Sequence, residues 1–157
     1  MADTISKIIG IILAFVLLVF APMTISRMTD DMAAKRCVLN EVEMFIDRIT
    51  DKSSVSGYDV NDLLLGINLY GGTFDAEVTH YKKVAVSDGA GGANSIYIAS
   101  DFNINTLGEG NKIELEQGDA IQVKVTGIGI TKGQSLLQVF FHVIEKPFEF
   151  SLAGTVR

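Results

Sequence analysis

Positions 8–25 read IIGIILAFVLLVFAPMTI, eighteen residues in which only Gly10, Pro22 and Thr24 interrupt the large apolar and alanine side chains. No charge falls between Lys7 and Arg27. The core helix of a soluble protein would show a polar stripe at helical spacing, and none is present. At about 1.5 Å per residue, the run predicts a helix of roughly 27 Å, enough for the hydrocarbon core of a bilayer.

Beyond Ser26 the pattern changes character without breaking. Met28, Met32, Leu39, Val42, Ile46 and Ile49 follow a 4-3 spacing, interrupted by Lys35 where the next apolar residue belongs. Asp30, Asp31, Arg36, Asn40, Glu41, Glu43, Asp47 and Arg48 lie between them, as on an amphipathic helix or a short coiled-coil seam. No glycine occurs from position 11 to 52, so one helix is predicted from about Asp3 to Asp51, roughly 70 Å if straight. Pro22, the sole proline in it, removes one intrahelical hydrogen bond and should bend or open the helix there.

The rest of the chain alternates on shorter periods. Ser56-Gly57-Tyr58-Asp59 fits a capping box, after which Val60, Leu63, Leu64 and Ile67 form one face of a three-turn helix that Gly71-Gly72 stops. Phe74, Ala76, Val78 and His80 alternate with polar residues as in a half-buried strand. A glycine-rich loop (SDGAGGANS) follows, then short strands around residues 95–99, Ile113 with Leu115, and Ile121, Val123 and Val125, the last two set apart by the turn Gln117-Gly118-Asp119. The run SLLQVFFHVI, residues 135–144, is the most apolar of this part and predicts a central strand; residues 148–153 predict a last short one. The expected fold class is α+β: a long N-terminal helix (transmembrane, then amphipathic), one short helix and a small antiparallel sheet of about five strands. Residues 1–52 form the helix, with the stem at 8–25 and the amphipathic part at 26–52, and residues 53–157 form a globular head.

Charge and composition narrow the function. Thirteen basic against nineteen acidic residues give a net charge of −6, which argues against a nucleic-acid partner. Mean hydropathy is +0.32, raised mainly by the first 25 residues. A cleaved signal is disfavoured: Val19-Phe20-Ala21 is the best candidate site, and it carries a bulky residue before the cut and Pro22 just after it. The count of basic residues flanking the span slightly favours a cytoplasmic C-terminal part.

No residue pattern points to catalysis. His80 and His142 fall on predicted strands without metal-ligand spacing and read as strand histidines. Cys37 is the only cysteine, so no internal disulfide forms, and it reads as a small helix-packing residue. DGAGGA lacks the lysine and hydroxyl of a phosphate-binding loop. Glu114 and Glu116 share a strand face, which solvation explains as well as a calcium site does. No cofactor is expected.

The order of an apolar helix with a proline, a continuous amphipathic helix and a small β-rich head resembles the type IV filament superfamily of pilins and pseudopilins. More narrowly, residues 45–80 are similar to pilin-like proteins of tight-adherence-type pilus systems in Gram-positive bacteria, through Phe45, Ile46, Asp47, Ile49, Phe74, Asp75, Val78 and His80. The ending PFEFSLAGTVR is also similar to theirs. The resemblance implies a pilin fold and a non-enzymatic structural subunit, stored in the membrane as a single span with an extracytoplasmic head. Its partners would be copies of itself or other pilins, together with a pilus assembly machinery. It implies that Ile8, Ile12, Phe15, Val19, Pro22, Ile25, Met28 and Met32 pack in the membrane or filament, while Leu39, Val42, Phe45, Ile46 and Ile49 pack on the head. One departure stands out. Leader cleavage would follow Gly10, the fifth residue beyond it is Phe15 where such stems carry glutamate, and no glutamate precedes Glu41. The alternative expectation is a single-span anchored accessory or binding protein that does not polymerise.

Overall fold

The computed structural model of the chain describes residues 2–87, 93–100, 104, 107–108, 110–128 and 147–157. Helix α1 (Ala2–Phe15) passes through a π turn (Val16–Phe20) into α2 (Ala21–Lys52). The π turn ends two residues before Pro22, and the Ala21 N–H donates to Val16 O five residues back. Pro22 has no N–H to offer Leu18 and its ring crowds that carbonyl. The opening expected at the proline therefore takes the form of a wider turn on its N-terminal side.

Strand β1 (Ser54–Ser56) and helix α3 (Gly57–Asn68) follow, then β2 (Phe74–Ser87), β3 (Ala93–Ala99), β4 (Lys112–Glu114), β5 (Ala120–Gly127) and β6 (Glu149–Thr155). The molecule is α+β, with a long N-terminal apolar helix and small antiparallel sheets. Two differences from the sequence reading concern the sheet. Where one sheet of about five strands was expected, the described residues form a four-stranded sheet ordered β3-β2-β5-β6 and a separate pair, β1 with β4. Strand β1 has no alternating apolar signature of its own, and it forms because residues 54–56 reach across to residues 112–114. Leu115 lies beyond the end of β4; it is buried, and its N–H donates to Ser53 O. The strand expected at 135–144, His142 and the centre of the glycine-rich loop lie outside the described residues. Among the described strands, β2 and β5 hold the centre.

The described residues fall into two compact units, 2–35 and the head from Arg36 onward. In the head, Val38, Val42, Phe45, Ile46 and Ile49 of α2 share one core with Val60, Leu63 and Ile67 of α3, with Phe74, Ala76 and Val78 of β2 and with Ile121, Val123 and Val125 of β5. Ser56 opens α3 with a full capping box: its hydroxyl accepts from the Asp59 N–H, and the Asp59 carboxylate accepts from the Ser56 N–H at 2.9 Å. Lys52 reaches the same carboxylate at 3.1 Å, so the end of α2 and the start of α3 are tied together.

Candidate functional site: an apolar stem and a helix-backed head

Every side chain from position 4 to 19 is exposed. Between positions 5 and 19, eleven large apolar residues are each 43% to 76% exposed, from Val16 to Leu18. Covering such surface is worth about 1 kcal/mol for each half-exposed side chain, or on the order of 10 kcal/mol for the set. That equals the folding stability of a typical domain. In water so much exposed apolar surface would be a severe liability, and the stem's length and composition are compatible with a membrane span. Among the described residues this is the one helix long and apolar enough to cross a membrane. The residues expected to pack there, Ile8, Ile12, Phe15, Val19, Pro22, Ile25, Met28 and Met32, are all exposed on the single chain, Met28 least at 36%. Thr24 is buried, its hydroxyl donating to Phe20 O four residues back.

On the head, Val42, Phe45, Ile46 and Ile49 are buried, whereas Leu39 is 38% exposed and Val38 is fully buried in its stead. A strict 4-3 reading runs through Leu39. The buried set 38, 42, 45, 46 and 49 follows the 3.6 period of a straight helix, which places Leu39 about 100° from Val38, on the flank. The sheet comes close to this face. A Cβ on Gly154 of β6 would lie 2.2 Å from Ile46 Cγ2, so only glycine fits there. On the other side, Tyr70 donates to Glu41 Oε1 at 3.0 Å and Arg48 pairs with Asp62 at 2.9 Å. The exposed Arg48–Asp62 pair fixes the helix pairing geometrically and contributes little stability.

The most polar point of the core is His80 with Asp119. Both are buried, and His80 Nε2 lies 2.9 Å from Asp119 Oδ2. Asp119 also accepts from Lys83 N–H and from Glu116 N–H, each at 3.0 Å. Burial raises its pKa, but those backbone N–H groups and the His80 ring outweigh it, so the carboxyl is held below its ordinary 3.8 and is ionised at neutral pH. An ionised carboxylate only accepts, so the His80 Nε2 carries the proton. Sequence reading recognised Gln117-Gly118-Asp119 as a turn, and Gly118 does take φ +92°; what it missed was Asp119 turning inward. The one available signal was a histidine at the inner-face end of a strand, which needs an acceptor when buried. The pair is enclosed, so it acts as a clamp joining β2 to the turn before β5. Cys37 is half-buried. Among the described residues no group of three or more His, Cys, Asp or Glu is placed to hold a metal ion. Comparison with models of known families, with curated proteins and with solved structures finds no match to this chain.

Proposed function

We propose that the chain is a non-enzymatic structural subunit of a surface filament, a pilin-like protein of the type IV kind. It would rest in the membrane as a single span with its head outside, then assemble with copies of itself or other pilins through a pilus machinery. The observation that carries this reading is the fully exposed stem at residues 4–19, in one continuous helix with the residues that build the head's core. In lipid the stem has no hydrophobic drive toward other helices, whereas outside it the same surface is worth about 25 cal/mol per Å² when buried. Storage and assembly can then be nearly balanced. Filaments sheared from cells and analysed by imaging and mass spectrometry should contain this chain as a repeating component. Recovery only as a membrane-bound monomer would refute the reading.

One sequence observation favours the second reading, an anchored accessory protein that does not polymerise: no glutamate precedes Glu41. In a filament the neighbouring subunit's amino terminus would then have to be met without that carboxylate. N-terminal sequencing of the mature protein separates a trimmed stem from an intact one. In both readings the head has no catalytic role, and an activity abolished by His80→Ala in a folded protein would overturn both.

A further inference from the structure

Helices α2 and α3 lie side by side in the head, and the surface they turn away from the core is partly apolar. On α2, Glu41, Met44 and Arg48 are spaced three and four apart and share one row; Asp62, Leu65 and Leu69 do the same along α3. The rows are antiparallel neighbours. Arg48 reaches Asp62 at 2.9 Å at one end, and Tyr70, next to Leu69, donates to Glu41 Oε1 at 3.0 Å at the other. Between these ties Met44 is 50% exposed and Leu65 64%, and Leu69 is 79% exposed. The core is built instead by Val42, Phe45 and Ile49 of α2 and by Val60, Leu63 and Ile67 of α3. Folding of the head therefore leaves the apolar part of these rows uncovered.

Charge decides what suits it as a cover. Glu43, Asp47 and Asp51 are exposed on α2, whereas Arg48 and Lys52 are each engaged by a carboxylate, Asp62 and Asp59. Residues 36–70 hold six acidic side chains and three basic ones. Glu41 is the most pointed of these acids. Tyr70 takes its Oε1, while Oε2 lies over Gly66, 3.3 Å from where a Cβ would stand. Having no side chain, Gly66 leaves that oxygen uncovered from the α3 side, in the same row as Met44. Two copies of this chain meeting through the face would set acid against acid. The apolar run 135–144 holds no lysine or arginine to meet Glu41. A helix with lysine or arginine set among leucine-like residues answers both features. Its apolar stripe covers Met44, Leu65 and Leu69, and a cation beside the stripe reaches Glu41 Oε2.

We propose that the α2–α3 face of the head docks a basic amphipathic helix of another protein. The incoming helix lies along the two rows as a third member of the layer. Its leucine-like side chains supply the affinity, and the acidic surround selects its charge and speeds the encounter. The surface belongs to the head alone, so the proposal does not depend on the filament reading.

The probe is a synthetic peptide of about 18 residues, five helical turns, with leucine on one stripe and lysine elsewhere. Its control keeps the leucines and replaces every lysine with glutamate. Binding to the full chain in phosphatidylcholine nanodiscs is read by fluorescence anisotropy, with empty nanodiscs as the blank. The lysine peptide should bind saturably, the glutamate peptide at least about tenfold more weakly, and added salt should narrow the gap. Leu69→Ser, at a surface site where circular dichroism should show an unchanged fold, should weaken the lysine peptide roughly tenfold. Glu41→Gln should weaken it about threefold and leave the glutamate peptide no weaker. Equal binding of the two peptides, or a lysine-peptide affinity that neither substitution lowers, overturns the proposal. So does failure of the lysine peptide to bind the unaltered chain. In that event, a head-to-head dimer in sedimentation that Leu69→Ser dissolves would assign the face to a second copy. Binding that appears only on replacing Leu136→Ser and Leu137→Ser together would assign it to residues 135–144.

Discussion

Replacing Asp119 with alanine should be among the most damaging single changes to the head. The carboxylate is the acceptor for three donors: His80 Nε2 at 2.9 Å and the N–H groups of Lys83 and Glu116 at 3.0 Å. A buried donor left without its acceptor costs about 1–3 kcal/mol, and Glu116 is exposed enough for water to replace part of its loss. The sum is about 3–4 kcal/mol. For a head of this size each kcal/mol shifts Tm by about 4–8 °C, so a fall of roughly 15–25 °C is expected. Asp119→Asn keeps one accepting oxygen but turns an amide toward a donor, and should cost about 1–2 kcal/mol. Urea and thermal unfolding of the full chain in detergent micelles, followed by circular dichroism at pH 7, measures both. The pH dependence gives a separate check. Because the folded pKa of Asp119 is lowered below 3.8, its contribution is complete above that value and is lost as pH falls through the lowered one. Asp119→Asn should flatten that part of the acid-unfolding curve. A loss under about 0.5 kcal/mol for Asp119→Ala would refute the clamp.

The seam on α2 makes a paired prediction: Ile49→Ala, at a fully buried site, should cost about 3 kcal/mol, and Leu39→Ala, on the flank, under about 1 kcal/mol, by the same unfolding assay. Gly154→Ala should cost about 1–3 kcal/mol through collision with Ile46, and Ile46→Ala in the same chain should recover part of that loss, a non-additivity that a double-mutant cycle reads directly. Leu17→Arg, near the middle of the stem, should weaken insertion by about 3 kcal/mol and shift the chain out of the membrane fraction on flotation.

Local signals carried much of this fold. The long N-terminal helix, the Ser56–Asp59 capping box and the alternation of Phe74, Ala76, Val78 and His80 are each written in near-neighbour patterns, where backbone preference and burial period agree. What escaped depends on distant partners. Strand β1 exists only because residues 112–114 lie beside it, and Asp119 turns inward only because His80, Lys83 and Glu116 await it. The choice between Val38 and Leu39 was lost for another reason: over a few turns a period of 3.5 and one of 3.6 pick nearly the same residues, and only the shape of the opposing surface decides.

The π turn before Pro22 has a consequence for partner choice. Such a turn takes up one residue more than an α turn, so it acts as a built-in insertion of about 100° of rotation. The line through Ile8, Ile12 and Phe15 would reach Pro22 on a regular helix; past the wider turn it runs instead toward Met23, and Pro22 swings aside. A regular α-helix lying alongside in parallel can keep in step with the stripe below the turn or the stripe above it, not with both. A second copy of this chain carries the same irregularity at the same height and stays in step throughout. In the proposed filament, the defect that proline imposes on the stem would thereby become a mark by which the stem tells its own kind from other apolar helices.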